Sequence, residues 1–285
     1  MEITFLGIGF DATLMLPILE QIIPARYLGI SSEPIDLEGY QGDKIRFCMR
    51  PSVDAAALRI LPKIKKRTKD AEIVFLLSEI SGKSNEDIIC NIAECLCDKT
   101  VVSIVWYPKQ KHGQRGISNA LERLGKRSAV VAIPQKVSTN LYELVPEYAE
   151  QILLMYQLAY ANAEADTGKR ILSKGGLLHL AQEEIEIEYL NYEAEFLRWS
   201  ITSLKYNHNL DTLMEYGSTA LLHLTVSCNT DPSIVQYIVE YIHSYLGEDR
   251  ELNFSISVIS EPWDSVGIDL LVTDTVTAKE ADNWL

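Results

Sequence analysis

Long apolar runs, basic charge and paired cysteines are what this 285-residue sequence has least of. No stretch approaches the roughly 18 consecutive apolar residues of a membrane-crossing helix, so direct membrane insertion is not expected. The strand-like Ile3-Thr4-Phe5-Leu6-Gly7 opens the chain with no basic region before it, so no secretory leader is expected and the reading is cytoplasmic. Lys and Arg total 26 against 40 Asp and Glu, a formal net charge of −14. A protein that neutralises phosphates needs a basic face, so no nucleic-acid partner is expected. The basic run at 63–70 reads as the solvated last turn of a helix. Cys48, Cys90, Cys95, Cys97 and Cys228 are odd in number and lack CxxC spacing, which points to reduced thiols rather than disulfides or zinc. His179, His208, His223 and His243 show no metal-ligand spacing, and His112 reads as an exposed loop residue. No metal site is expected among these side chains.

What is present is a strict alternation of strand and helix over the first 135 residues. Strands are predicted at 2–7, 26–30, 44–47, 72–77, 100–105 and 129–133, with helices at 11–22, 52–67, 85–96 and 115–125. Runs such as Glu72–Leu77 and Val101–Trp106 are continuously apolar, the mark of parallel strands covered on both faces. Residues 140–173 are rich in helix formers, and Tyr148, Ile152, Met155 and Ala159 fall on one stripe; Gly175-Gly176 ends this long helix. The last hundred residues alternate like half-buried strands at 220–229, 253–260 and 267–274, around an amphipathic helix that Pro232 is placed to start. The expected fold class is α/β, with a doubly wound parallel-sheet domain (1–138), a central long helix and following loop (139–185), and a smaller α+β domain (186–285).

One turn raises the question of chemistry. Ser81-Gly82-Lys83-Ser84 lies between an apolar strand and a helix, where α/β proteins hold phosphates. A Walker A loop needs a glycine five positions before Gly82, and Leu77 stands there. A dinucleotide-binding reading of Gly7-Ile8-Gly9-Phe10-Asp11-Ala12 lacks the third glycine, since Ala12 occupies that position, and a lone Gly-x-Gly is often only a tight turn.

A third reading uses the whole chain. Residues 73–94 resemble, without a gap, the strand, glycine-rich signature loop and helix of the FtsZ/tubulin superfamily of filament-forming GTPases. Gly7 and Gly9 match that family's first loop, and Ser31-Ser32-Glu33 its Asn-Thr-Asp turn. Pro108, Gly113 and Arg115 match the loop that contacts ribose and phosphate, and Gln135 the Asn of an Ile-Pro-Asn strand end. Residues 175–185 resemble the loop that reaches into the next subunit's site, and 220–274 the C-terminal activation domain strand for strand. The resemblance implies a tubulin/FtsZ-like fold, GTP or GDP with Mg as cofactors, and Gly7, Gly9, Ser32, Ser81, Gly82, Lys83, Ser84 and Arg115 as nucleotide-binding residues. It places Ala181 and Glu184 at the two acid positions that orient the attacking water, leaving Glu184 as the catalytic candidate. It implies head-to-tail self-association, or a partner of the same family, in a cytoskeletal or division-related role.

The chain departs from the family in ways that bear on chemistry. The signature keeps Gly82 alone of several glycines, and Glu79, Glu86 and Asp87 bring carboxylates around it. Each would oppose a triphosphate by about 1 kcal/mol. As helix-start residues, Glu86, Asp87 and, in the first loop, Asp11 are alternatively placed to cap their own helices; Glu183 and Glu184 read equally well as capping acids of a helix start. Lys83 and Arg115 supply positive charge that an anion, or a residue such as Glu79, can use. GTPase activity follows from the resemblance alone. The alternatives are binding and hydrolysis weakened or lost with no nucleotide at all, an unorthodox GTPase completed by a neighbouring subunit, and a non-polymerising regulatory module. The family's extended terminal tail has no counterpart after residue 274, so docking to membrane-tether partners through it is not expected.

Overall fold

The computed structural model describes residues 1–50, 52–80, 83–108, 114–135, 141–163, 166–187, 217–247 and 250–274. They form two compact units, Met1–Leu153 with Leu172–Leu177, and Leu154–Ile171 with Leu178–Thr275.

In the first unit the apolar runs become strands within three residues of expectation at every end. They are β1 (Ile3–Ile8), β2 (Arg26–Ser31), β3 (Asp43–Arg46), β4 (Ile73–Glu79), β5 (Thr100–Pro108) and β6 (Ala129–Gln135). The helices between them are α1 (Phe10–Ile22), α2 (Val53–Arg67), α3 (Lys83–Cys95) and α4 (Gln114–Gly125), with a 3-10 turn at Pro34–Leu37. All six strands are parallel, in the order β3-β2-β1-β4-β5-β6. The chain therefore winds outward from β1 in one direction and then from β4 in the other. Such a reversal leaves a crevice outside the carboxyl ends of the two central strands, where open α/β sheets bind ligands.

Burial explains the strand sequences. Every residue of Ile3–Ile8 and Ile73–Ser78 is buried, because helices cover both faces. Tyr27, Phe5 and Phe75 are direct neighbours across β2, β1 and β4, and their rings stack at 5.3 and 4.7 Å. The Tyr27 hydroxyl lies 2.9 Å from the Leu19 carbonyl oxygen and 2.8 Å from that of Ile23, giving the end of α1 a donor for its last carbonyls. Trp106 of β5 is fully buried and packs on Tyr148, 5.2 Å between ring centroids. Tyr148 belongs to α5 (Leu141–Ala163), and Tyr148, Ile152, Met155 and Ala159 are all buried, as their spacing predicts. Helix resumes as α6 (Asp166–Ser173). Gly175 and Gly176 then turn the chain at φ 73° and 100°, and Gly176 and Leu177 pair in parallel with Ala129 and Val130.

The second unit contains β7 (Gly176–Glu186, from Leu178), β8 (Gly217–Ser227), α7 (Pro232–Leu246), β9 (Glu251–Ile259) and β10 (Ser265–Asp274). The strand order is β7-β10-β8-β9, with β10 antiparallel to both neighbours and β8 parallel to β9. Helix α7 starts where Pro232 predicts. Asp231 is the N-cap, its carboxylate accepting from the Ser233 N–H at 2.9 Å. Its apolar stripe, Ile238 and Ile242, buries against Leu222, Leu224, Val266 and Leu270. His223 is buried with Nδ1 2.8 Å from the Ser255 hydroxyl, and burial lowers its pKa, so it is a neutral core histidine. Among the described residues no helix is long and apolar enough to cross a membrane, and no group of three acidic, histidine or cysteine side chains is arranged to hold a metal ion.

Candidate functional site

Because β1, β2, β4 and β5 are parallel, the loops that follow them share one edge of the sheet. The structure therefore brings together there what the sequence scatters over more than a hundred positions. Gly9 and the start of α1 follow β1, Ser32 follows β2, Lys83 and Ser84 open α3 after β4, and Arg115 is the second residue of α4 after β5. Ser81 and Gly82 lie outside the described residues, as do the side chains of Lys83, Ser84 and Arg115. Glu184 belongs to the second unit, on β7.

The β1–α1 turn is the best-defined part. Gly9 precedes α1 at φ 84° and ψ −174°, a backbone region that L side chains rarely adopt. Its N–H is used by the Ile30 carbonyl at 2.9 Å, and no side chain caps the helix. Gly7 plays a different part: it is buried, and a Cβ there would come within 3.0 Å of the Ala12 carbonyl oxygen and of Leu16. It lets α1 lie close on β1.

Two of the capping expectations are corrected here. Asp11 does not cap α1, since Gly9 is the N-cap and no side chain bonds to the helix end. Asp87 does not cap α3 but accepts from Arg123 of α4 at 2.7 Å, tying the two helices together. A third concerns Glu183 and Glu184, read as possible acids of a helix start. Both lie within strand β7, opposite Ile268 and Gly267 of β10. Glu184 and Glu186 are exposed while Ile185 is buried, a strand alternation already visible in Glu184-Ile185-Glu186-Ile187. Glu184 accepts a hydrogen bond from the Trp263 indole N–H at 3.1 Å, and Gly267, facing Glu184, leaves room for that ring, since a Cβ there would meet it at 3.2 Å.

Asp11, in the first turn of α1, has its pKa pushed up to about 6 by burial first, then by Glu79 at the end of β4 and by Asp36. Asp36 was not singled out from sequence. It sits in the 3-10 turn after β2 and accepts from the Ser31 hydroxyl at 2.5 Å, while Ser31 Oγ accepts the Glu33 N–H at 3.1 Å. Carboxylates from three separate elements thus lie near one another beside an uncapped helix N-terminus, and the raised pKa shows burial and like charge outweighing the helix dipole. Phe10, next to Asp11 in the chain, is exposed.

This crowding has a measurable consequence. The folded state holds the Asp11 proton more tightly than the unfolded chain, so the destabilisation is absent below the unfolded value near 3.8 and complete above about 6. A rise of that size corresponds to about 3 kcal/mol in full, and solvent access reduces it to about 1–2 kcal/mol. Asp11→Asn is expected to raise stability by that amount in urea titrations near neutrality and to leave it unchanged at about pH 3.5. Equal stabilisation at both pH values would show that the carboxyl is not strained by its neighbours.

No family model and no curated protein sequence matches this chain. Solved structures do. An FtsZ dimer from M. jannaschii is similar with a TM-score of 0.72 at 18% identity, covering 95% of this chain and 88% of that one. CetZ2 from Haloferax volcanii, a GTPγS-bound protofilament, gives 0.75 at 15% identity, covering 99% and 96%. TubZ of Clostridium botulinum phage c-st gives 0.64 at 12% identity, covering 99% and 96%. Over nearly its whole length, the chain has the FtsZ/tubulin-like fold.

Proposed function

We propose that this chain is a self-associating protein of the FtsZ/tubulin architecture, serving a cytoskeletal or division-related role, in which GTP binding and hydrolysis are weakened or lost. The observation that carries the reading is the gathering of Asp11, Glu79 and Asp36 at the carboxyl ends of β1, β2 and β4, where burial first, and then the charges of Glu79 and Asp36, raise the Asp11 pKa. These residues do not fit a polyphosphate. A second anionic group at that edge adds to a repulsion that the backbone N–H groups of α1 do not offset in the protein alone. The second acid position supports the same reading, because Glu184 is held in a paired strand by Trp263. Self-association is supported by the relatives of this fold, which include a dimer and a protofilament. A head-to-tail contact of that kind extends to a filament unless its rotation closes.

One observation favours a second reading, a working but unorthodox GTPase completed by a neighbouring subunit. The N-terminus of α1 carries no side-chain cap, so its first N–H groups remain suited to an anion, and Lys83 opens α3 on the same edge. Calorimetry of the purified protein with GTP and magnesium separates the two. The first reading expects no saturable heat up to about 1 mM nucleotide. Micromolar binding overturns it in favour of the second, which further requires turnover that rises with protein concentration.

A further inference from the structure

The second unit ends in an unguarded strand. β9 is the last strand of its sheet, with β8 on one side and no described strand on the other. Sheet edges are normally protected by lysine, proline, a bulge or an inward-pointing charge, because an open row of N–H and C=O groups templates pairing. From Leu252 to Ser260 the sequence Leu-Asn-Phe-Ser-Ile-Ser-Val-Ile-Ser has none of these and no ionisable side chain.

Its geometry is specific. The Ile259 carbonyl accepts from the Cys228 N–H at 3.0 Å, so Ile259 directs its backbone groups toward β8. Backbone groups alternate along a strand, which turns those of Leu252, Phe254, Ile256 and Val258 toward the open edge. The side chains of these residues share a sheet face with Leu222, Leu224 and Val226, their partners on β8, and that face is the one α7 covers. The helix does not reach the edge: Phe254 is 48%, Ile256 43% and Val258 63% exposed.

We infer that β9 is a two-fold pairing edge and that its occupant is β9 of a second copy of this chain. An antiparallel pair centred on Ile256 sets Ile256 opposite its counterpart and Phe254 opposite Val258. All of these are residues whose backbone groups face the edge, so the pair closes with about six hydrogen bonds. Residues directly opposite in an antiparallel pair project to the same face, which joins the two apolar stripes into one surface flanked by both α7 helices, with aromatic facing β-branched. Charge selects the same stretch. Copies bearing −14 each repel over most of their surface, and residues 252–260 carry no carboxylate, so the centre of this pairing brings none together. Only at its two ends does the same register set Glu251 opposite Glu261 of the second copy, and Glu251 is ion-paired with Arg170. The contact is isologous and stops at two, in contrast to the head-to-tail contact of the proposed function, and it does not depend on nucleotide.

Sedimentation equilibrium of the full chain without nucleotide, over a range of concentrations, tests this. A monomer–dimer equilibrium with a dissociation constant in the micromolar range is expected. Ile256→Lys, which sets two ammonium groups face to face, and Ile256→Pro, which removes an edge-facing N–H and leaves the β8 ladder intact, should each weaken it at least about tenfold while thermal unfolding at low concentration stays as in the wild type. A wild-type chain monomeric at about 100 µM overturns the inference. So does an association that both folded variants retain, which assigns it to another face.

Discussion

Gly175→Ala is expected to destabilise the protein by about 3 kcal/mol, a fall in Tm of roughly 6–12 °C by calorimetry. Two costs add. At φ 73° an L side chain is strained by about 1–2 kcal/mol. A Cβ at this position also meets the Gly125 carbonyl oxygen at 2.4 Å and that of Ser128 at 3.2 Å. Both contacts are backbone atoms at the end of α4 and before β6, so neither can swing aside, and relief requires moving the start of β7 off β6. Gly247→Ala is the control. It has φ 95° at the end of α7 with nothing within 4 Å of the added methyl, so it should lose only the conformational part, about 1 kcal/mol. Equal losses in the two variants would show that the close approach of Gly175 to Gly125 does not exist in solution.

Removing charge from the candidate site should move nucleotide affinity in the opposite direction from most active-site mutations. The double variant Asp11→Asn, Glu79→Gln keeps the size and hydrogen-bonding capacity of both side chains while deleting two of the three carboxylates. At about 1 kcal/mol of repulsion each, GTP should bind about 30-fold more tightly than to the wild type. Competition against a fluorescent GTP analogue detects the gain even where wild-type binding is too weak for calorimetry. The Asp11→Asn single variant separates stability from affinity, since it relieves the same strain in the absence of ligand. A double variant no better than wild type would mean that these carboxylates do not face the nucleotide, and the reading of a charge-closed site would fail with it.

Much of the fold was legible because burial leaves a local trace. Helices cover both faces of the first sheet, so its strands had to be apolar without interruption, and Glu72–Leu77 and Val101–Trp106 are. The stripe of Tyr148, Ile152, Met155 and Ala159 records the buried face of α5, and Pro232 marks the first turn of α7. At the site the same rule explains both what was seen and what was missed. Gly9 stood out because a positive φ after a strand requires a particular residue. Asp36 did not, because nothing in Pro34-Ile35-Asp36-Leu37 says which loops will face it.

The capping expectations failed for a related reason. An acid at a helix start has a local use, and sequence proposes that use by default, but a partner from another element takes precedence when the fold supplies one. Arg123 reaches Asp87 across 36 positions, and Trp263 reaches Glu184 across 79. Glu183 and Glu184 also show two periodicities in competition. The glycine pair and the charge suggested a loop running into a helix, whereas Glu184-Ile185-Glu186-Ile187 alternates as a strand, and pairing with β10 settled the matter.

By itself, then, the sequence determined most of the strands and helices, though not β7, which of their faces are buried, and that the first sheet is parallel, since these follow from periodicity and hydrophobicity within a window of a few turns. The tertiary structure decided the strand order that reverses between β1 and β4, and with it the meeting of Asp11, Asp36 and Glu79 and the open edge at β9. The reason is physical: a carboxyl's charge and a strand edge's hydrogen bonds are governed by whatever lies within a few ångströms, and in a doubly wound sheet those neighbours come from distant parts of the chain.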